Sequence, residues 1–122
     1  MKINLNKKDI KFCIVGSGKT CSIFANLLRE NKFPDPIFIT WEKIKHDRDK
    51  KIMGKEKEYE DIFDFCLKNN FSIFESENIN NLETIAFLKR MKINVVISLA
   101  SRWIFKNHFL NEFKEMVFNL HH

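Results

Sequence analysis

Short apolar runs alternate with longer stretches of helical spacing along this chain, and the alternation sets out its elements. Phe12–Val15 is a short apolar run ending at Gly16, the pattern of a buried strand. From Thr20 to Glu30, Ile23, Phe24, Leu27 and Leu28 recur at helical spacing, and Thr20 stands where a cap belongs. Pro36 introduces a second strand, Ile37–Thr40, since proline is tolerated at a strand's first residue. Trp41 to Lys55 is polar, crowded with charge and reads as a loop. Helical periodicity returns with Tyr59, Ile62, Phe63, Cys66 and Leu67 on one face. Ser72–Phe74 is a brief strand, and Asn81 to Met91 a less regular helix built on Leu82, Ile85 and Leu88. Asn94–Leu99, with Val95, Val96 and Ile97, is the most clearly buried strand. A helical turn near Lys106–Leu110 leads to a last strand, Met116–Leu120.

Strand and helix in repetition, with crossovers of helix length, require parallel strands covered on both faces. The expected fold class is therefore α/β: a Rossmann-like, open, mostly parallel sheet with helices on both faces, forming a single domain over residues 1–122. In such a sheet ligands bind outside the carboxyl ends of the strands, where the strand order reverses. With the first strand central, that point lies between it and the Asn94–Leu99 strand. Gly16–Thr20, Ser98–Phe105 and the residues after Phe118 (Asn119, His121 and His122) then face one crevice.

Composition narrows the picture. A chain of 122 residues, 44% hydrophobic and with thirteen phenylalanines, buries a real core and is not a disordered tail. Three Gly and two Pro favour long elements over a turn-rich all-β fold. The formal net charge of +5 favours anionic partners. Base stacking, however, needs aromatic residues among the basic ones, and Trp41 is the one candidate beside Lys43, Lys45, Arg48, Lys50 and Lys51. Nucleic acid is not an expected partner. The basic segment reads as solvated surface, with contact to a phosphorylated acceptor as the functional alternative. Cys13, Cys21 and Cys66 have no metal-binding spacing and read as small buried apolar residues in a reducing compartment. No run of eighteen apolar residues and no signal segment are found, so the expectation is a cytoplasmic protein without a membrane partner.

Two segments carry candidate chemistry. Gly16-Ser17-Gly18-Lys19-Thr20 falls short of a P-loop because Cys13 stands where the first glycine belongs. As a dinucleotide fingerprint it has Gly16 and Gly18, but Cys21 replaces the third small residue; Glu42, near the end of the second strand, would hold a ribose. The plain alternative is a tight strand-to-helix turn that needs glycine at positive φ. Gly16, Gly18 and Lys19 are also candidates for holding an anionic acceptor at the helix N-terminus. At the other end, alternation along Val117-Phe118-Asn119-Leu120-His121 puts Asn119 and His121 on one side. A side-chain amide there can donate to a developing oxyanion, and an imidazole can move a proton near neutral pH. The plain alternative is a strand-end Asn followed by two terminal histidines.

From Lys11 to His122 the chain resembles the N-terminal domain of 10-formyltetrahydrofolate-dependent formyltransferases, and most closely the sugar N-formyltransferase branch. The resemblance rests on Phe12–Thr20, on Ile93-Asn94-Val95-Val96-Ile97-Ser98, on Arg102-Trp103-Ile104-Phe105, and on Val117-Phe118-Asn119-Leu120-His121-His122. It implies formyl transfer from 10-formyltetrahydrofolate to a small-molecule amine, such as an amino sugar. Asn119 would hold the formyl oxygen as it becomes an oxyanion, and His121 would assist proton transfer. Ser101, Arg102, Trp103 and Ile104 would line the folate pocket, largely through backbone, with a structural role for Arg102 as the alternative. The family continues beyond the histidine with a Leu-Pro turn, more sheet and a catalytic aspartate. On that comparison the chain is expected to be truncated or one piece of a split enzyme, and inactive alone. A missing C-terminal half, or self-association through the last strand, is the implied partner. The competing expectations are a nucleotide-binding module using Gly16, Gly18 and Glu42, and a non-catalytic remnant that binds folate or a partner chain.

Overall fold

The computed structural model describes residues 6–53, 60–99, 101–114 and 116–120. A turn of 3-10 helix at Lys7–Asp9 precedes β1 (Phe12–Gly16), α1 (Lys19–Glu30), β2 (Ile37–Thr40), α2 (Lys43–Met53), α3 (Ile62–Asn69), β3 (Ser72–Glu75), α4 (Leu82–Arg90), β4 (Val95–Leu99), α5 (Asn107–Glu112) and β5 (Val117–Leu120). The strands form one sheet in the order β3-β2-β1-β4-β5, and every neighbouring pair runs parallel. This is an open, Rossmann-like α/β sheet.

Strand alternation divides the core into two layers. Cys13, Val15, Ile37, Ile39 and Val96 face one way and pack with Ile85 and Leu88 of α4 and Phe109 and Phe113 of α5. Ile14, Phe38, Val95, Ile97 and Leu99 face the other way and pack with Cys21 and Ala25 of α1 and Ile62 and Cys66 of α3. Every residue of β4 is buried because helices cover both faces, which explains its unbroken apolar run. The three cysteines are buried free thiols.

Several local expectations are corrected. Gly18 and not Thr20 occupies the N-cap of α1, and a glycine there offers no side-chain cap bond. The buried face of α1 is Cys21, Ser22, Ala25 and Leu28, while Ile23 and Leu27 are half exposed. Small residues on that face let the helix lie close to the sheet, and the larger aliphatics fall to its flank. Leu67 and Leu82 are also exposed, so α3 buries Ile62 and Cys66 and α4 buries Ile85 and Leu88. Tyr59 lies outside the described residues.

The largest correction is α2, in a segment expected to be a loop. Its residues carry no apolar stripe, and among its described side chains only His46 is buried. The helix starts where the Glu42 carbonyl accepts the amides of Lys45 and His46 at 2.9 and 3.4 Å. It is held through a histidine, a residue that periodicity does not count as apolar. Lys55, the end of the expected loop, lies outside the described residues.

Candidate functional site at the carboxyl ends of the strands

Chain direction creates the crevice. After β1 the chain enters α1 on the Ile14–Phe38 side, whereas after β4 it enters α5 on the Val15–Val96 side. Neighbouring strands whose connections leave on opposite faces open a gap at their carboxyl ends. The switch point therefore lies between β1 and β4, as the sequence predicts.

The Gly16–Thr20 turn forms one wall. Gly16 has φ +143°, and a Cβ on it would overlap the Leu99 carbonyl oxygen across the β1–β4 pair. Gly18 has φ +94° with open space around it, so glycine is needed there for conformation and not for room. Lys19 is exposed at the start of α1. Cys21, in the third small position, is fully buried, with its thiol 3.5 Å from the Leu99 carbonyl. Burial pushes the Cys21 and Cys66 thiols up to about 12 and raises Cys13 as well, so all three stay protonated and unreactive near neutral pH. Glu42 lies just past β2 and is half exposed, 3.9 Å from the Lys45 ammonium.

The segment after β4 runs to Trp41 at the end of β2, to α2 and to Asn80. Ser101 Oγ accepts the Trp103 amide at 3.1 Å, a local turn that sets the path of the chain. Trp103 meets the Trp41 ring edge-on, with centroids 5.9 Å apart. The Arg102 guanidinium lies over the Trp41 ring at 5.3 Å and is 3.8 Å from the Asp49 carboxylate of α2. Arg102 thus has structural partners on its own chain. Ile104 is 85% exposed, and its carbonyl accepts Asn80 Nδ2 at 2.8 Å.

Asn80 holds this segment in place. Besides its bond to Ile104, its Oδ1 accepts the Lys106 amide at 2.9 Å, and its carbonyl pairs with His108 Nε2 at 2.8 Å. Asn78 and Ser76 shape the loop that carries it, with Asn78 Oδ1 accepting the Asn80 amide and Ser76 Oγ paired with Thr84 Oγ1. Nothing in the sequence distinguishes Asn80 within its polar stretch; only the fold brings it against residues 104–108.

The last strand lies one position outward from β4. In the parallel register Asn119 stands beside Ser98, and Phe118 beside Ile97. Val117 packs against the α4–α5 layer, so alternation puts Asn119 toward that face and Phe118 and Leu120 toward the other. Asn119 is exposed on this strand and is not part of a packed interior. His121 and His122 lie outside the described residues, and the Asn119–His121 pairing with them.

Sequence reading also missed a cluster next to the segment after β4. The His46 ring stacks on Trp41 with centroids 4.8 Å and planes 4° apart, meets Phe63 edge-on at 5.0 Å, and has Nε2 2.8 Å from Thr40 Oγ1. Burial is the main cause holding the imidazole below its ordinary pKa; Arg102 works in the same direction and Asp49 and Asp61 against it. A lone histidine in a charged run carries no signal of such packing. Among the described residues, the buried Trp41 Nε1 and Ser98 Oγ have no hydrogen-bond partner. Among the described residues no group of three or more His, Cys, Asp or Glu side chains is placed to hold a metal ion. No described helix is long and apolar enough to cross a membrane.

The fold and the order of its strands define the class of an open parallel α/β domain with its switch point between β1 and β4. The chain matches no protein-family model, and no curated protein matches it in sequence.

Proposed function

We propose that this domain belongs to a formyltransferase that moves a formyl group from 10-formyltetrahydrofolate to the amine of a small molecule, an amino sugar being the favoured acceptor. The observation that carries the proposal is the parallel register that sets Asn119 beside Ser98, one strand out from the switch point between β1 and β4. Sequence resemblance supplies the chemistry, and a switch point at that position is what the chemistry needs.

In this reading the acceptor nitrogen attacks the formyl carbon. The Asn119 amide donates to the oxygen as negative charge develops on it. His121 takes the proton released by the amine and returns one to the departing folate nitrogen as the carbon–nitrogen bond to folate breaks. Ser101, Arg102, Trp103 and Ile104 bound the donor, while Gly16, Gly18 and Lys19 meet the acceptor. A cytoplasmic setting with protonated thiols goes with this reading, and the apolar edge at β5 is the surface offered to a second chain.

Calorimetry with a folate analogue and, separately, with NAD tests the proposal. Heat of binding with the folate analogue is expected. Heat with the dinucleotide and none with the folate analogue replaces the proposal with the nucleotide-binding alternative built on Gly16, Gly18 and Glu42. Transfer is assayed with the chain alone and with an added C-terminal half from a formyltransferase. Restored transfer supports a split enzyme, and silence in both, with folate still bound, leaves the non-catalytic remnant.

A further inference from the structure

Helix α2 is an anomaly in this fold. It runs along the carboxyl edge of the sheet, yet Ile44 and Ile52 are 67% and 77% exposed and its remaining residues are mostly charged. A surface helix ordinarily docks through an apolar stripe. Here, among the described side chains of α2, an imidazole is the one that is buried. His46 is 6% exposed, lies flat on Trp41, meets the edge of Phe63 and pairs with Thr40 Oγ1.

One helical turn further on, Asp49 reaches Arg102 at 3.8 Å, and Arg102 returns to the same Trp41 ring, 5.3 Å from its centroid. His46, Trp41, Arg102 and Asp49 thus close a ring of contacts that links α2 to the segment after β4. We infer that His46 is a positioning residue for the donor-binding segment: its neutral ring seats α2, and α2 holds Asp49 against Arg102 so that Ser101–Ile104 keeps one path. The inference rests on the formyl-donor reading for its ligand, and on the contact ring alone for its mechanics.

The charged groups around the imidazole are Asp49 from its own helix, Asp61 at the N-cap of α3 and Arg102 from the segment after β4, with Lys50 3.8 Å from Asp61. The carboxylates favour a proton on the ring. Burial opposes it more strongly, and Arg102 adds to that opposition. Acidification therefore places a charge in an aromatic seat, loosens α2 and releases Arg102.

The test uses the full chain and a folate analogue. Affinity is followed by calorimetry from about pH 7.5 to about pH 5, with ring protonation read by NMR. The wild type is expected to lose affinity about tenfold as the His46 ring gains its proton. His46→Phe keeps a flat ring but cannot titrate, so its affinity is expected to stay constant over that range. His46→Ala is expected to bind about tenfold more weakly near neutral pH, with fast amide hydrogen exchange confined to α2. Unchanged wild-type affinity through the ring titration overturns the inference, as does wild-type affinity in a folded His46→Ala chain. Should His46→Ala fail to fold, the wild-type and His46→Phe pH profiles carry the test. If the wild type binds no folate analogue at any pH, the formyl-donor reading fails separately. Amide exchange in α2 then judges the mechanics: loss of protection on acidification supports them, and retained protection overturns them.

Discussion

Gly16 presses against the carbonyl of Leu99 so closely that no Cβ fits between β1 and β4. The contact sits at the switch point and sets how near the two strands approach. Gly16→Ala adds a clash with rigid backbone to a strained φ of +143°, and about 3 kcal/mol or more of stability is expected to be lost. Gly18→Ala meets only the strain of φ +94° in open space, with a smaller loss of about 1–2 kcal/mol. Urea denaturation of the two variants checks the order, and equal losses would refute the close-approach explanation.

Asn80 ties two loops together through its amide. Asn80→Ala leaves the Lys106 amide and the Ile104 carbonyl without their partner, and a loss of about 1–3 kcal/mol is expected. Asn80→Asp retains an acceptor for Lys106 but sets a carboxylate oxygen against the Ile104 carbonyl and Asn78 Oδ1, which Asn80 Nδ2 now reaches at 2.8 and 3.2 Å, so it should be less stable than wild type as well. Thermal unfolding measures both variants; an Asn80→Asp chain as stable as wild type counts against the assigned bonds.

Asn119 is exposed on β5, so Asn119→Asp should leave the chain folded, with an unchanged circular dichroism spectrum. Under the proposed formyl transfer, the same substitution would put a carboxylate where the oxyanion donor is assigned, and kcat in the transfer assay is expected to fall by about 10²- to 10³-fold. Undiminished transfer by the variant would remove Asn119 from the chemistry.

Met116, just before β5, and Phe118 and Leu120 on it are 42%, 46% and 53% exposed at the edge of the described sheet. An apolar groove of about 420 Å³ runs beside them, lined in part by Phe12, Phe33, Ile97 and Phe118. An unpaired apolar edge favours strand-to-strand association. Light scattering should show a mass that rises with concentration, and Phe118→Lys should suppress the rise. A wild-type monomer at high concentration would contradict this.

Stability should also depend on pH. Burial lowers the pKa of His46 in the folded chain from its ordinary 6.5, so the unfolded chain binds the proton more readily. The contribution is fully present above about pH 6.5 and is lost as pH falls from there through the folded value. Asp35 behaves similarly at lower pH: the Arg29 guanidinium, bonded to its carboxylate at 2.9 and 3.0 Å, holds its pKa below 3.8, and its small surface contribution is lost under stronger acid. Urea midpoints measured across this range should drop first in the histidine window, and His46→Phe should abolish that first drop.

The strands were legible because each is apolar on both faces or bounded by turn residues. Observed β1, β2, β3, β4 and β5 begin and end within a residue or so of the apolar runs, and their parallel order follows from the helix-length crossovers. The crevice between β1 and β4 was legible for the same reason. Which helical residues face inward was less so: Ile23, Leu27, Leu67 and Leu82 look like core and are not. Short helices on a sheet bury only a narrow stripe, and small residues such as Ala25 or Cys66 can occupy it.

What the chain's sequence determined by itself is the parallel α/β sheet, because hydrophobic periodicity and crossover length are local properties that any reader can trace along the residues. What only the tertiary structure decided is α2 and the contacts of the segment after β4. His46 counts as apolar only when Trp41 and Phe63 enclose it, Asn80 becomes a staple only when residues 104–108 arrive beside it, and Asn119 finds Ser98 only through strand register. Each of these depends on a partner distant in sequence, and a polar side chain's role is set by the partner it meets.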